Sequence, residues 1–183
     1  MMKLFRSLTV LAIALSMTAC VTNRSLGEGL DDSASNLTLK RYLFADNAHD
    51  YGDVDITVFE SRLLLSGTVR TTEARRALAQ KAAMVSTVDD VLNEVIVGPK
   101  TGIRQGAADA LIDERLGAAL LADNGVFSSN YKIAVSQGTV YLLGVAQGPE
   151  ELGRVTGQAQ AISGVKNIVS HVIYVGDPKR AKK

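Results

Sequence analysis

The chain repeats itself. A shift of 77 positions carries Asp32 onto Asp109, Leu39 onto Leu116, and Ala45, Asp46 and Asn47 onto Ala122, Asp123 and Asn124. The same shift carries Ile56, Val58, Leu65 and Gly67 onto Ile133, Val135, Leu142 and Gly144. It carries Glu73, Ala82, Ser86, Val88, Val95 and Ile96 onto Glu150, Ala159, Ser163, Val165, Val172 and Ile173. No gap is needed from Asp32 to Val97. A register held that long across glycines, apolar positions and a helix end marks a duplicated structural unit, and any fold proposed for one copy has to fit the other.

The second copy shows its elements most clearly. Ile133 and Val135 alternate with Lys132, Ala134 and Ser136, the period of a half-buried strand. Gln137 and Gly138 form a two-residue hairpin signal, because glycine accepts the positive φ of such a turn. Residues 139–145 read as a second strand. Pro149 suits a first helical turn, where its missing N–H is no loss, and Val155, Ala159 and Ile162 share one helical face. Gly164 ends that helix and residues 166–175 form a third strand. In the first copy, residues 36–47 predict a helix with Leu39, Tyr42 and Leu43 on one face. Residues 54–59 and 63–69 predict hairpin strands turning at Glu60, Ser61 and Arg62. Thr71 or Thr72 caps a crossover helix with Leu78, Ala82 and Val85 as its buried stripe, and residues 89–97 form the third strand.

The expected fold is therefore α+β, with two tandem units of helix, strand, strand, helix and strand. In each, a small three-stranded sheet is covered on one face by two helices. The hairpin makes the first two strands antiparallel, and the helical crossover returns the third to the same sheet. The boundaries are 32–98 and 109–176, joined by a linker at 99–108 punctuated by Pro99, Gly102 and Gly106. Units this small have thin cores, and a linker this short favours their packing together.

The flanks carry a different signal. Residues 1–19 combine Lys3 and Arg6 with an apolar run from Leu8 to Met17 and small residues before Cys20, the pattern of a secretory signal peptide too short to span a membrane permanently. Leu15, Ser16, Met17, Thr18, Ala19 and Cys20 resemble a bacterial lipobox, with Met17 where leucine is commonest. Cys20 is the single cysteine of the chain, so it has no internal disulfide partner. The resemblance implies cleavage before Cys20 and its acylation by a diacylglyceryl group and an N-acyl chain, enough for stable anchoring where one chain is not. By the same resemblance to bacterial lipoproteins, Val21 rather than aspartate after the cysteine implies delivery to the outer membrane. Residues 20–31 are a tether containing Gly27 and Gly29. Residues 177–183 are a basic tail, read as a solvated end able to touch a polyanion only weakly. Of 20 Lys and Arg, cleavage removes Lys3 and Arg6, leaving 18 against 19 Asp and Glu. A nearly neutral mature chain gives no support for nucleic-acid binding.

Val140, Tyr141, Leu142, Leu143 and Gly144, a charged helix, and then Ile162, Ser163, Gly164, Val165, Lys166, Asn167 and Ile168 resemble the BON domain. The first copy has Leu63, Leu64, Leu65, Ser66 and Gly67, then Val85, Ser86, Thr87, Val88, Asp89, Asp90 and Val91. The structural glycine of the family falls on Gly67 and Gly144. Two such units behind a lipobox resemble dual-BON outer-membrane lipoproteins. That resemblance implies a lipid-anchored, periplasm-facing protein of envelope integrity that contacts anionic phospholipid through the second unit and gathers at division sites.

The residues point away from catalysis, cofactors and metals. His49 and His171 lie in different repeats without a cysteine, Ser66 and Ser163 lack a His/Asp arrangement, and Glu73 and Glu150 read as first-turn acids that complement a helix dipole. By the resemblance, the lipid contact maps to the helix at 109–122, where Leu111, Ile112 and Arg115 are the candidate phospholipid-facing edge. The chain has no tryptophan, so Leu111 takes the place of the interfacial aromatic, and Asp109, Asp113 and Glu114 oppose anionic headgroups. Two assignments stay open for this helix, a lipid-facing edge or ordinary core. The second implies a protein-interaction module whose partners are outer-membrane assembly or cell-wall hydrolase regulatory proteins.

Overall fold

Each repeat is organised around a middle strand that is buried along almost its whole length. The computed structural model of the protein describes residues 37–45 and 49–180. Residues 37–44 are helical (α1), and β1 (Asp53–Phe59), β2 (Arg62–Val69), α2 (Thr72–Ala83), β3 (Asp90–Asn93) and β4 (Ile96–Val97) complete the first repeat. The second comprises α3 (Ile103–Ala122), β5 (Tyr131–Ser136), β6 (Thr139–Ala146), α4 (Pro149–Ala161) and β7 (Asn167–Tyr174), with a short 3₁₀ turn at Ser128–Asn130 before β5. The architecture is α+β with two small mixed sheets, as the duplicated pattern implies. In each repeat the hairpin pair is antiparallel and the crossover strand runs parallel to the middle one: β1 and β3 flank β2, β4 also pairs with β2, and β5 and β7 flank β6.

Both hairpins turn in two residues, with Phe59 opposite Arg62 and Ser136 opposite Thr139. Arg62 is thus the first residue of β2 rather than part of the turn. Glu60 (φ 47°) and Ser61 (φ 62°) in the first repeat, and Gln137 (φ 54°) and Gly138 (φ 81°) in the second, supply the positive φ that matches a hairpin's twist. Thr71 is the cap of α2, its hydroxyl accepting from the Ala74 N–H at 3.1 Å.

Three cores hold the described residues together. In the first repeat, Leu43, Val54, Ile56, Leu63, Leu65, Leu78 and Val95 pack between helices and sheet. In the second, Ile112, Leu116, Leu120, Val140, Leu142 and Val155 do the same. Tyr42, expected beside Leu39 and Leu43, instead lies exposed beneath the Lys81 ammonium, 5.1 Å from the ring centre. The third core joins the repeats: Phe59 and Leu64 meet Tyr141, Leu143, Val145 and Ile173. Each sheet therefore carries helices on one face and the other repeat's sheet on the other. The Leu63–Leu65 run has this cause: a strand covered on both faces is apolar at consecutive positions rather than alternate ones.

The third strands differ. Residues 89–97 do not form one strand; Glu94 and Val95 interrupt it, with the Glu94 N–H on the Leu65 carbonyl (2.8 Å) and the Val95 N–H on Asn93 Oδ1 (3.3 Å). Its counterpart β7 is continuous.

Candidate functional site

The helix expected at Asp109 starts earlier, at Ile103, inside the stretch read as linker, and ends at Ala122. Alanine and leucine at many of its positions favour a helix of this length. Gly102 in extended conformation starts it without a side-chain cap. Asp109, Ile112, Leu116 and Leu120 form its buried face.

This placement divides the three residues of the candidate lipid edge. Ile112 is 3% exposed, packed in the second core with its side chain against Gly164. It cannot touch a lipid surface while the domain is folded, and its part in the expected edge is corrected: one helix step from Leu111 turns it inward. Leu111 is 44% exposed and Arg115 is exposed. At 3.6 residues per turn, Arg104, Leu111 and Arg115 fall within roughly 40° of one another. All three are exposed, as are Ala107, Ala108 and Ala118 around them, and no ion pair engages either guanidinium among the described residues.

The acids expected to oppose anionic headgroups are mostly elsewhere. Asp109 is buried, at the far side of the helix from Leu111. Its Oδ2 accepts the Gln137 N–H (2.8 Å), its Oδ1 the Gly138 N–H (2.8 Å) and the Gln105 amide (2.8 Å). It clamps the β5–β6 turn. Asp113 sits on the flank of the helix, where partial burial raises its carboxyl pKa. Glu114 alone remains near the Leu111 strip, at roughly 60° from it.

Other positions were not singled out by sequence reasoning. Leu121 and Phe127 (61% exposed) lie at and beyond the end of α3. Buried Glu151 fixes the loop that presents Phe127: its Oε1 accepts the Phe127 N–H (2.8 Å) and its Oε2 the Gln147 N–H (2.7 Å). The first-turn acid anticipated from the repeat, Glu150, is exposed. Nothing in sequence spacing separates Glu150 from Glu151, because Glu151 has no acidic counterpart in the first repeat, where Ala74 stands.

Gly67 and Gly144 mark one steric constraint. A Cβ on Gly67 would lie 2.0 Å from the Asp53 carbonyl oxygen, and one on Gly144 would lie 2.2 Å from that of Asn130. Asp53 and Asn130 are themselves equivalent in the two repeats. Gly67 also has φ +107°, costly for any other residue.

Polar contacts tie the repeats. The Arg62 Nη1 donates to the His171 carbonyl (2.8 Å), and the His171 Nε2 contacts Glu94 Oε1 (2.9 Å). His171 is thus part of the seam between the sheets and not a free strand surface. Arg180, expected in a solvated tail, pairs with Glu60 at the β1–β2 turn through Nη2 (2.7 Å) and Nε (3.0 Å). His49 is exposed beside Asp50. Cys20, the proposed site of acylation, lies outside the described residues. Among the described residues, no helix is long and apolar enough to cross a membrane.

Two matches to the model of the BON domain cover residues 31–99 and 108–176. A protein of Anaplasma centrale known as the uncharacterized protein in gshII 5'region is 33% identical over 144 residues, covering 78% of this chain and 94% of the relative. The 21 kDa hemolysin of Actinobacillus pleuropneumoniae is 25% identical over 159 residues (86% of this chain, 81% of the relative). The outer membrane lipoprotein DolP of Haemophilus influenzae is 25% identical over 164 residues (88% of this chain, 84% of the relative).

Proposed function

The chain belongs to the BON-domain family, with two copies of the domain in tandem, and from that premise we propose that it is a lipid-anchored outer-membrane protein that maintains envelope integrity by contacting anionic phospholipid through its second domain. Similarity to an outer membrane lipoprotein over most of both chains supports an envelope-associated role. The lipobox ending in Cys20 supports attachment by acyl chains, with the two domains facing the periplasm. Gathering at division sites belongs to the same reading.

One observation carries the lipid contact: on α3, exposed Leu111 stands between exposed Arg104 and Arg115, while Asp109 is withdrawn into the β5–β6 turn. An apolar side chain between two cations suits the headgroup boundary of an anionic membrane, where the leucine loses water contact and each guanidinium gains about 1 kcal/mol near the surface. Liposome co-sedimentation of the unacylated fragment from Val21 onward tests it. Binding should require anionic vesicles and collapse in Leu111→Glu and in the double variant Arg104→Glu/Arg115→Glu, with circular dichroism unchanged. Absence of binding to either vesicle would leave acylation as the sole attachment and favour the second reading, a periplasmic protein-interaction module. A groove between the repeats gives that second reading a specific observation of its own.

A further inference from the structure

Between β1 and β5 lies an open groove of about 670 Å³, within the range of built ligand sites. Residues of α1 and of the first half of α3 also line it. Two kinds of group line it. The first is strand edge: among the described residues β1 pairs only with β2 and β5 only with β6, so each has one edge without a strand partner there. Consecutive residues of both, 53–57 and 133–136, line the groove. An edge strand presents unpaired N–H and C=O groups that an added extended chain can satisfy.

The second kind is charge. Asp53, Asp55 and Asp113 line the groove, and the one cation among its described lining residues, Lys40, is already held by Asp55 at 2.7 Å. Asp53 gives one oxygen to the Thr101 N–H, whereas Asp113 has no partner among the described residues. The floor adds an independent sign of a ligand. Ser66 is 2% exposed and lines the groove, and no hydrogen bond engages its hydroxyl among the described residues. Its equivalent in the second repeat is Leu143, an apolar member of the core between the sheets. The first repeat thus places an unpartnered hydroxyl, on a residue only 2% exposed, where its duplicate places a leucine.

We propose that the groove between the two repeats is a docking slot for an extended, positively charged peptide segment of another protein. The segment lies along the β1 or β5 edge through backbone hydrogen bonds. Its cationic side chains meet Asp55 and Asp113, and a donor reaches Ser66. Ile103, 94% exposed at the rim, offers the segment one apolar contact. This surface is separate from the Leu111 strip and has the opposite charge preference, so it stands whether or not the domain binds phospholipid.

Fluorescence anisotropy on the full acylated protein in neutral detergent micelles tests the slot. The probe is a labelled peptide of about eight residues, strand length, alternating Lys and Thr; the same peptide with Glu for Lys is the control. The Lys peptide should bind and the Glu peptide should not, with affinity falling as salt rises. Asp55→Asn and Asp113→Asn should each weaken binding roughly two- to fivefold, as exposed ion pairs do. Ser66→Leu, which copies the second repeat, should fill the floor and abolish binding while circular dichroism is unchanged. If Ser66→Leu does not fold, Ser66→Ala, which removes only the hydroxyl, should still weaken binding. The proposal is overturned if the Glu peptide binds equally, if spermine displaces the Lys peptide completely at equal charge, or if binding survives both aspartate substitutions and the loss of the Ser66 hydroxyl.

Discussion

Glu94 and His171 occupy the same position in the two repeats and touch each other, Oε1 to Nε2 at 2.9 Å. Duplicated positions that meet are what a local twofold relation between the copies produces. The break between β3 and β4 falls at Glu94, whereas His171 stays within β7, so the duplicated element has become asymmetric where the copies meet.

The pair should therefore couple in stability. Glu94→Ala and His171→Ala should each cost about 0.5–1.5 kcal/mol, with the double variant costing less than their sum. His171→Glu, which sets two carboxylates face to face, should cost more than His171→Ala, and adding Glu94→His should recover much of the loss. Urea unfolding midpoints measure the cycle; strict additivity would mean that the contact contributes nothing.

Asp109 clamps two turn N–H groups from within the protein. Asp109→Ala leaves the Gln137 and Gly138 donors without their acceptor and should cost about 2–4 kcal/mol, since bonds to a charged group exceed ordinary ones. Asn at this position keeps one acceptor and should lose less. Hydrogen exchange of the Gln137 and Gly138 amides should rise in both variants.

Glycines here fall into two classes that a single substitution separates. Gly67→Ala and Gly144→Ala would drive a Cβ onto a backbone carbonyl and should abolish two-state folding or cost more than about 3 kcal/mol. Gly153→Ala and Gly157→Ala, in open space on α4, should stabilise by about 0.5–1 kcal/mol. Thermal melts of the four variants check the contrast.

Leu111 and Ile112 are neighbours with opposite exposure. Ile112→Ala should cost about 2–5 kcal/mol by opening a cavity beneath α3. Leu111→Ala should change the melting temperature little.

Asp123 carries the clearest acid dependence. The Gly125 N–H, the Gln158 amide and the nearby Arg154 hold its carboxyl below the ordinary carboxylate range. A carboxylate depressed in the folded state contributes stability above its unfolded pKa, near 4, and that contribution disappears as pH falls through the lower folded value. Asp123→Asn should therefore narrow the difference in melting temperature between neutral and acid solution.

Much of the fold was legible in the residues. The repeat, the two-residue turn at Gln137 and Gly138, the Thr71 cap, Pro149 in the first turn of α4 and the apolar stripes on α2 and α4 all rest on contacts within a few residues or on strict periodicity, and linear order records both. The start of α3 is not legible, because Ile103 to Ala108 has the look of linker, with glycine near each end and no side-chain cap. Among the candidate site residues, Leu111 and Arg115 could be placed on one helix, but the inward turn of Ile112 depended on which side of α3 meets the sheet.

Taken alone, the order of residues determined that this protein has two copies of one small α+β unit and the sequence of elements within each, and it carries a lipobox-like motif ending in Cys20. Tertiary structure decided which faces the copies share. It buried Asp109 and Glu151 while leaving Asp113 and Glu150 outside, brought Glu94 to His171, and opened the acidic groove between β1 and β5. The physical reason is range. A turn or a helical stripe is encoded by neighbours three or four residues apart, whereas a sheet-to-sheet seam depends on contacts across the 77 positions separating Glu94 from His171, where the choice between equally polar side chains is made by the packed surface and not by the local chain.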